Sequence, residues 1–167
     1  MKDKINVAIV GVGNCAKSLV EGVALYSTEN LTDGLTFPEI GGYTPKNINF
    51  VLAYDVDTRK VGRPLYEAIF AKPNCAMNMD VRENALASVC NSTIVKRGAL
   101  YDGVAPHMLN MPEEESFRVT KDPEPSMKDI VTDLKENQID VLLNYLPVGS
   151  ETATRFYVEA CLEAKVS

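Results

Sequence analysis

Short apolar runs alternate with amphipathic stretches along this chain, and that alternation predicts strands and helices in turn. Residues 5–10 and 49–54 are apolar runs of strand length, so they predict the first two strands. Between them, apolar side chains recur at three- and four-residue intervals from residue 15 to residue 24, while Lys17 and Glu21 fall outside that apolar face. We therefore expect a first helix that ends near Tyr26.

Two short elements are predicted after the second strand. Asp57 is suited to cap a helix that includes residues 64–70, with Pro64 in its first turn. Residues 93–95 indicate a short third strand that runs into a basic turn. The pattern over residues 73–92 is ambiguous and predicts no element there.

The last third of the chain has the clearest pattern. Residues 127–134 place apolar side chains on one helix face, and Ser126 precedes Asp129 at the spacing of a capping box. Residues 139–145 are mostly apolar, as expected of a central parallel strand buried on both faces, and Ser150 is placed to cap a final helix. Strand and helix thus alternate four times, which predicts an α/β fold with an open parallel sheet and helices on both faces.

Composition and charge narrow the classes of function. The 167 residues are 46% hydrophobic and 24% charged, which is typical of one globular domain. A net charge of -6 argues against binding to nucleic acid or to an anionic membrane surface. The apolar stretch after the first four residues is too short and too interrupted for a signal peptide or a membrane span, so we expect a cytoplasmic protein.

The cysteines and the histidine offer no pattern of a metal site. Cys15, Cys75, Cys90 and Cys161 are far apart and contain no C-x-x-C pair, which is typical of reduced thiols. His107 is the only histidine, so the sequence lacks the imidazoles for a multi-histidine metal site, and a Ser–His–Asp triad is disfavoured. We predict no metal ligand, and we expect the cysteines to be small buried residues, with the Cys15 thiol packed inward.

A Gly-x-Gly-x-x-Ala turn joins the first strand directly to the first helix. Gly11 permits the tight turn, Gly13 lets backbone approach a pyrophosphate, and Ala16 lets the helix pack close to the strand. The helix start at Asn14 and Cys15 offers backbone N–H groups to phosphates. Because the turn lies between a strand and a helix, it predicts a dinucleotide-binding βαβ unit.

Asp55 ends the second strand, where such units carry the acid that hydrogen-bonds the adenosine ribose. It follows Gly11 by 44 residues, but the 22 residues 27–48 are dense in turn formers and indicate an inserted loop, without which the spacing is 22. The expected spacing is about 20 residues. A role as a helix or turn cap is the alternative. The charge of Asp55 favours NAD over NADP; the basic pair Arg59 and Lys60 weakens that preference unless it forms an exposed helix face.

The predicted topology brings a second segment to the glycine turn. Ligands of open parallel sheets bind beyond the carboxyl ends of the strands where strand order reverses, here between the first and fourth strands. Asn144, Tyr145, Pro147 and Ser150 should therefore face the glycine turn across one crevice, near the nicotinamide. Tyr157 is a further candidate to line the nicotinamide end. For both Tyr145 and Tyr157, packing in the hydrophobic core is an equal alternative.

Three segments together resemble the bacterial and archaeal branch of the myo-inositol-1-phosphate synthase family. They are residues 10–22, 53–57 and 144–151, and the likeness includes the long insertion and the turn at residues 94–98. The resemblance implies that NAD oxidises glucose 6-phosphate, that enolisation and aldol closure follow, and that the NADH formed reduces the product to 1D-myo-inositol 3-phosphate. It also implies a homotetramer and catalytic lysines outside this chain.

On this interpretation, residues 1–167 are one NAD-binding Rossmann-type domain, while the catalytic and oligomerisation domain lies beyond residue 167 and the chain by itself is inactive. We predict no catalytic residue in it. The predicted cofactor-binding residues are Gly11, Gly13, Asn14, Cys15, Asp55, Asn144, Tyr145, Pro147 and Ser150. Two alternatives stay open: an NAD-linked dehydrogenase of another substrate, and a non-catalytic NAD-sensing module whose reading frame would end near Ser167.

Overall fold

The computed structural model describes residues 3–28, 31–90, 92–104 and 106–167. Outside the described residues lie residues 1 and 2, which precede the first apolar run, and residues 29 and 30, which belong to the predicted insertion. Within the described part of the chain, every helix lacks the length and apolar character that crossing a bilayer requires.

The described residues form a four-stranded parallel sheet. Its strands are β1 (Ile5–Val10), β2 (Ile48–Asp55), β3 (Val95–Arg97) and β4 (Val141–Asn144). Their order across the sheet is β3-β2-β1-β4, with all neighbours parallel. Strand order therefore reverses between β1 and β4, as predicted, and the carboxyl ends of these two strands lie side by side.

Helices cover both faces of the sheet. They are α1 (Asn14–Thr28), α2 (Leu65–Ala68), α3 (Glu83–Cys90), α4 (Met127–Glu136) and α5 (Glu151–Ala164). Alternate residues of β1 serve the two faces: Val7 and Ile9 pack with α1, α2 and α3, whereas Ala8 and Val10 pack with α4 and α5. The prediction of an α/β fold with helices on both faces is confirmed.

The predicted insertion lies between α1 and β2. Its described part consists of turns and one short 3-10 helix, Pro45–Asn47, and β2 starts at Ile48 directly afterwards. The hydroxyl of Tyr26 donates to the carbonyl of Asp33 at 2.7 Å, which fastens the loop to the end of α1. The insertion therefore lengthens the βαβ unit without disturbing its strand pairing.

Two element predictions were wrong, and one helix lies where the sequence pattern was ambiguous. That helix is α3, whose apolar face spans only eight residues and so gives a weak periodic signal. Asp57 does not cap the helix that follows: α2 begins at Leu65 with Pro64 at its N-cap position, and Asp57 instead accepts the N–H of Arg59 in a local turn. Strand β4 is an edge strand of the described sheet and is only partly buried, because β1 is its strand neighbour on one side alone.

Candidate functional site

Gly11 makes the tight turn at the end of β1. Its φ is +91°, and its N–H donates to the carbonyl of Tyr54 on β2 at 2.9 Å. A Cβ at this position would lie 2.8 Å from the carbonyl oxygen of Tyr145, which is closer than real Cβ contacts. Both the backbone angle and the lack of space therefore require glycine here.

Gly13 differs from Gly11 because its surroundings are open. Among the described residues, nothing lies within 4 Å of a Cβ built on it. Its carbonyl accepts the N–H of Lys17 at 3.0 Å, so it leads directly into the first turn of α1. Open space beside a helix N-terminus is the arrangement that admits an anionic group to backbone N–H donors.

Asp55 is 7% exposed and binds backbone at the end of β2. One carboxylate oxygen, Oδ2, accepts the N–H of Val12 at 2.8 Å. The other, Oδ1, accepts the N–H groups of Val56 at 2.7 Å and Asp57 at 2.8 Å. A carboxylate oxygen accepts about two hydrogen bonds, so Oδ2 keeps one acceptor position for a further donor.

Arg59 is committed to Asp57. Its Nε and one terminal nitrogen donate to the two carboxylate oxygens of Asp57 at 2.8 and 2.6 Å, and that nitrogen also donates to the carbonyl of Ser116 at 2.6 Å. Burial by itself would raise the pKa of Asp57, but hydrogen bonds from Arg59 and Arg118 outweigh it and hold the pKa below its usual range. This bidentate pair leaves Arg59 unavailable to a ligand phosphate.

Lys60 is fully buried, so the prediction of an exposed basic helix face was wrong for it. Its ammonium group donates to the carbonyl of Val12 at 2.7 Å and to Oδ1 of Asn74 at 3.0 Å, and it lies 3.9 Å from Oδ2 of Asp55. Burial lowers the pKa of Lys60, and the nearby carboxylate of Asp55 opposes that effect. Lys60 thus lies beneath the glycine turn.

The segment after β4 forms the second wall of the site. The N–H of Tyr145 donates to the carbonyl of Val10 at 2.8 Å, which places this segment beside the glycine turn. The Asn144 side chain shapes the turn itself, because its oxygen accepts the N–H of Leu146 and its nitrogen donates to Thr154 Oγ1, both at 3.0 Å. Burial raises the pKa of Tyr145, as does the neighbouring Cys15 thiol.

Ser150 occupies the N-cap position of α5, as predicted, but its side chain makes no capping hydrogen bond within the described residues. Asp102 caps this helix instead. Its carboxylate accepts the N–H groups of Thr152 at 2.8 Å and Ala153 at 3.0 Å. These two bonds lower the pKa of Asp102. Sequence spacing could not indicate this cap, because its donor and acceptor residues are about 50 positions apart.

One crevice brings together three of the predicted residues: Gly11, Asp55 and Pro147. Gly98 and Tyr157 also line it; Tyr157 was a candidate for the nicotinamide end with core packing as an equal alternative, and Gly98 was not predicted. The Tyr157 hydroxyl accepts the N–H of Ala99 at 2.9 Å, and burial raises its pKa to about 12. We call this the switch-point crevice. It lies at the carboxyl ends of the strands, where the topology predicted a ligand.

Asn14 and Cys15 begin α1 at the edge of this site. The Asn14 side-chain oxygen accepts the N–H groups of Cys75 at 2.8 Å and Ala76 at 3.1 Å. Cys15 and Cys75 are exposed, so the expectation of buried thiols was wrong for both. A thiol on the first turn of α1 points to solvent because the adjacent Ala16 takes the buried position against the sheet.

Lys17 and Glu21, expected outside the buried face of α1, form a buried ion pair. Their side chains approach to 2.7 Å at 3% and 1% exposure. Lys17 also donates to the carbonyls of Ala76 and Met77 at 3.1 and 2.9 Å, and Glu21 accepts the N–H of Met79 at 3.1 Å. The pair therefore holds the segment 76–79 against α1. Their i,i+4 spacing is the only local signal that could have indicated the pair.

Comparisons with known proteins find curated relatives that share one name. No protein-family model matches the chain. The chain is 44% identical to inositol-3-phosphate synthase of Mycolicibacterium smegmatis and 40% identical to that of Mycobacterium tuberculosis, in each case over 98% of its own length. The same-named protein of Corynebacterium glutamicum is 38% identical over 96% of the chain. The chain spans about 42% of the length of the first two relatives and 41% of the third.

Solved structures agree with the fold. The crystal structure of Ari2 superposes on 98% of the chain with a TM-score of 0.76 at 30% identity, and the chain covers 44% of it. A myo-inositol-1-phosphate synthase-related protein from Thermotoga maritima superposes with a TM-score of 0.62 at 20% identity, covering 96% of this chain and 44% of that one. Over 98% of its length, this chain is similar to part of the proteins named inositol-3-phosphate synthase.

Proposed function

We propose that this chain binds NAD in the switch-point crevice and serves as the cofactor-binding part of an enzyme that makes 1D-myo-inositol 3-phosphate from glucose 6-phosphate. The observation that carries the proposal is the joining of Asp55 to the glycine turn, because Oδ2 of Asp55 accepts the N–H of Val12 at 2.8 Å. Through this contact the Asp55 carboxylate, the proposed ribose ligand, adjoins the residue before Gly13. The names of the relatives supply the product, and the family resemblance of the sequence implies glucose 6-phosphate as the substrate.

The residues present suit a dinucleotide. The open space over Gly13 admits a pyrophosphate, and the N–H groups of Asn14 and Cys15, in the first turn of α1 where intrahelical acceptors are lacking, supply donors for it. The remaining acceptor position of Asp55 suits one ribose hydroxyl. When bound, NAD supplies a group that accepts and returns a hydride.

Charge favours NAD over NADP. The carboxylate of Asp55 would repel a 2′-phosphate. The two cations nearby do not offset this repulsion. Arg59 is bound in bidentate fashion to Asp57, and Lys60 is buried beneath the turn. A 2′-phosphate beside Asp55 therefore meets a negative group and no exposed, unpaired cation from these two residues.

The segment after β4 is proposed to lie at the nicotinamide end. Pro147 lines the switch-point crevice, and the backbone of Tyr145 contacts the glycine turn. Asn144 and Ser150 contribute by shaping this segment: Asn144 bonds Leu146 and Thr154, and Ser150 begins α5. We propose that residues 1–167 form one NAD-binding domain in a cytoplasmic homotetramer, and that other regions of the protein supply the sugar-phosphate site and catalytic groups.

Calorimetric titration of the purified chain tests cofactor binding. NAD should bind at least about tenfold more tightly than NADP, since a 2′-phosphate would face Asp55. Equal affinity for the two would contradict the assigned role of Asp55, and absence of binding to both would reject the site.

The reaction is tested with the protein that contains this chain. Incubated with NAD and glucose 6-phosphate, it should form inositol phosphate, detected by ³¹P NMR, with no net NADH absorbance at 340 nm. Net NADH formation from the sugar phosphate would instead indicate a dehydrogenase. NAD binding without any turnover would favour a sensing module.

A further inference from the structure

The backbone of Val12, between the two glycines of the turn, is held on both sides. Its N–H donates to Asp55 at 2.8 Å, while its carbonyl accepts the ammonium group of Lys60 at 2.7 Å and the side-chain amide of Asn74 at 3.1 Å. Lys60 and Asn74 are also bonded to each other at 3.0 Å. The central residue of the glycine turn is thus fixed by three side chains from later in the sequence.

This arrangement determines where the next N–H points. The bond between Val12 and Gly13 is trans, so the carbonyl of Val12 and the N–H of Gly13 point in opposite directions. Because the carbonyl points inward to Lys60, the N–H of Gly13 points away from Lys60. The surroundings of Gly13 are open, with no described atom beyond Gly13 and its two chain neighbours within 4 Å of a built Cβ.

Lys60 also brings a positive charge beneath the turn. Its side chain is 0% exposed, and Oδ2 of Asp55 approaches its ammonium group no closer than 3.9 Å. The neighbouring Asp57 carboxylate is instead paired with Arg59 at 2.6 Å. Burying an ammonium group is costly, and an apolar side chain would fill a core position at lower cost. A cation directly below the turn attracts an anion placed above it.

We propose that Lys60 and Asn74 are positioning residues for the pyrophosphate of the bound dinucleotide. Holding the Val12 carbonyl inward, they present the Gly13 N–H to the ligand, and Lys60 adds a buried charge that favours the phosphates. This inference rests on the proposed function, since it requires that the chain bind a dinucleotide. Neither residue needs to touch the ligand.

The test separates phosphate binding from binding of the nucleoside. Lys60→Met keeps the length and removes the donor and the charge. In titrations of the purified chain with NAD, ADP and adenosine, this variant should lose about tenfold or more in affinity for NAD and ADP. Its affinity for adenosine, which has no pyrophosphate, should change by less than about twofold. In ¹⁵N NMR, addition of ADP should shift the Gly13 amide of the unmodified chain more than that of the variant.

A control separates this effect from a general loss of stability. Leu134 is fully buried in the core between the sheet and α4, on the other side of the sheet from α1. Leu134→Ala should lower the unfolding temperature while leaving the affinities for NAD and ADP within about twofold of the unmodified chain. If it weakened ADP binding as Lys60→Met does, the effect would be one of stability and the proposal would be overturned.

The remaining outcomes of the titrations also test the roles proposed for Lys60 and Asn74. Unchanged ADP and NAD affinity in a folded Lys60→Met variant overturns the proposal while leaving NAD binding intact. Equal losses for ADP and adenosine overturn it as well, because the role would be structural. Absence of NAD binding to the unmodified chain rejects the proposed function and the inference together. If Lys60→Met does not fold, Asn74→Ala provides the test, with a smaller loss confined to the phosphate-bearing ligands; unchanged affinities there overturn the proposal.

Discussion

The carboxylate of Asp55 accepts a hydrogen bond from the backbone N–H of Val12 at 2.8 Å, which joins the end of β2 directly to the glycine turn. The same side chain accepts two further N–H groups, from Val56 and Asp57, at 2.7 and 2.8 Å. One residue therefore shapes the turn and keeps a single acceptor position, which the proposed function assigns to a ribose hydroxyl.

Asp55→Ala should weaken NAD binding by roughly tenfold to a hundredfold, because a charge-assisted hydrogen bond contributes about 1.5–3 kcal/mol. Calorimetry measures the affinity, and circular dichroism checks that the variant is folded. Glu136→Ala, an exposed change at the end of α4, serves as the control and should leave affinity unchanged. A folded Asp55→Ala variant that binds NAD normally would remove Asp55 from the site.

The two glycines of the turn should respond differently to alanine. In Gly11→Ala, the left-handed backbone alone should cost about 1–2 kcal/mol of folding free energy. The loss should exceed that figure, because the new Cβ would also lie 2.8 Å from the carbonyl oxygen of Tyr145. Gly13→Ala should fold nearly normally, since its surroundings are open, yet bind NAD less tightly because the methyl group takes up ligand space. Urea unfolding and NAD titration of both variants measure the two effects. Similar behaviour of both variants in the two assays would contradict this division.

The buried pair on α1 is predicted to be sensitive to removal of one partner. Lys17→Met leaves the Glu21 carboxylate buried and unpaired, so the free energy of unfolding should fall by about 3–5 kcal/mol. The double variant Lys17→Met with Glu21→Leu should recover part of that loss, because no charge remains buried. Urea unfolding compares the three chains. A double variant less stable than Lys17→Met would show that the bonds to residues 76–79 matter more than the charge balance.

The cap of α5 is predicted to depend on pH. The N–H groups of Thr152 and Ala153 lower the pKa of Asp102 in the folded chain, so its contribution to stability is present above the unfolded pKa of about 3.9 and is lost as pH falls through the folded pKa. Asp102→Asn should therefore unfold at a lower temperature than the unmodified chain at pH 7. Thermal melts should show this difference shrinking below about pH 4. A difference that stays constant down to pH 2 would contradict a charged cap.

The reactivity of each thiol should follow its exposure to solvent. Cys15 and Cys75 are exposed and should react readily with iodoacetamide in the native chain. Cys90 is buried, and burial raises its pKa to about 12, so it should react only after unfolding. Mass spectrometry of digested samples locates the label. NAD should slow labelling of Cys15 at the start of α1; an unaffected rate would place the cofactor elsewhere.

Local signals in the sequence were sufficient for several features. The capping box of α4 was predicted from Ser126 and Asp129, and the structure confirms both of its hydrogen bonds. The apolar run that predicted the second strand also predicted its end at Asp55 correctly. In these cases the interacting groups are near neighbours in sequence, so spacing alone carries the information.

Predictions that depended on distant contacts were wrong. Asp57 resembled a helix cap, but the N–H of Arg118, 61 residues later, binds its carboxylate and the Arg59 side chain closes over it. Lys17 and Lys60 resembled solvent-facing cations, yet the chain from residue 74 onward returns to accept hydrogen bonds from both. Charged residues are normally exposed, so sequence reasoning places them outside unless a partner is known.

The sequence by itself determined the order of the strands and of every helix except α3, the parallel α/β architecture and the position of the glycine turn, because periodicity and turn chemistry act over a few residues. Only the tertiary structure decided which polar groups are buried around that turn. The carbonyl of Val12 meets Lys60 across 48 positions and Asn74 across 62, and the N–H of Val12 meets Asp55 across 43. Hydrogen bonds over such separations form only once the sheet has brought its carboxyl ends together, and they fix the shape of the site.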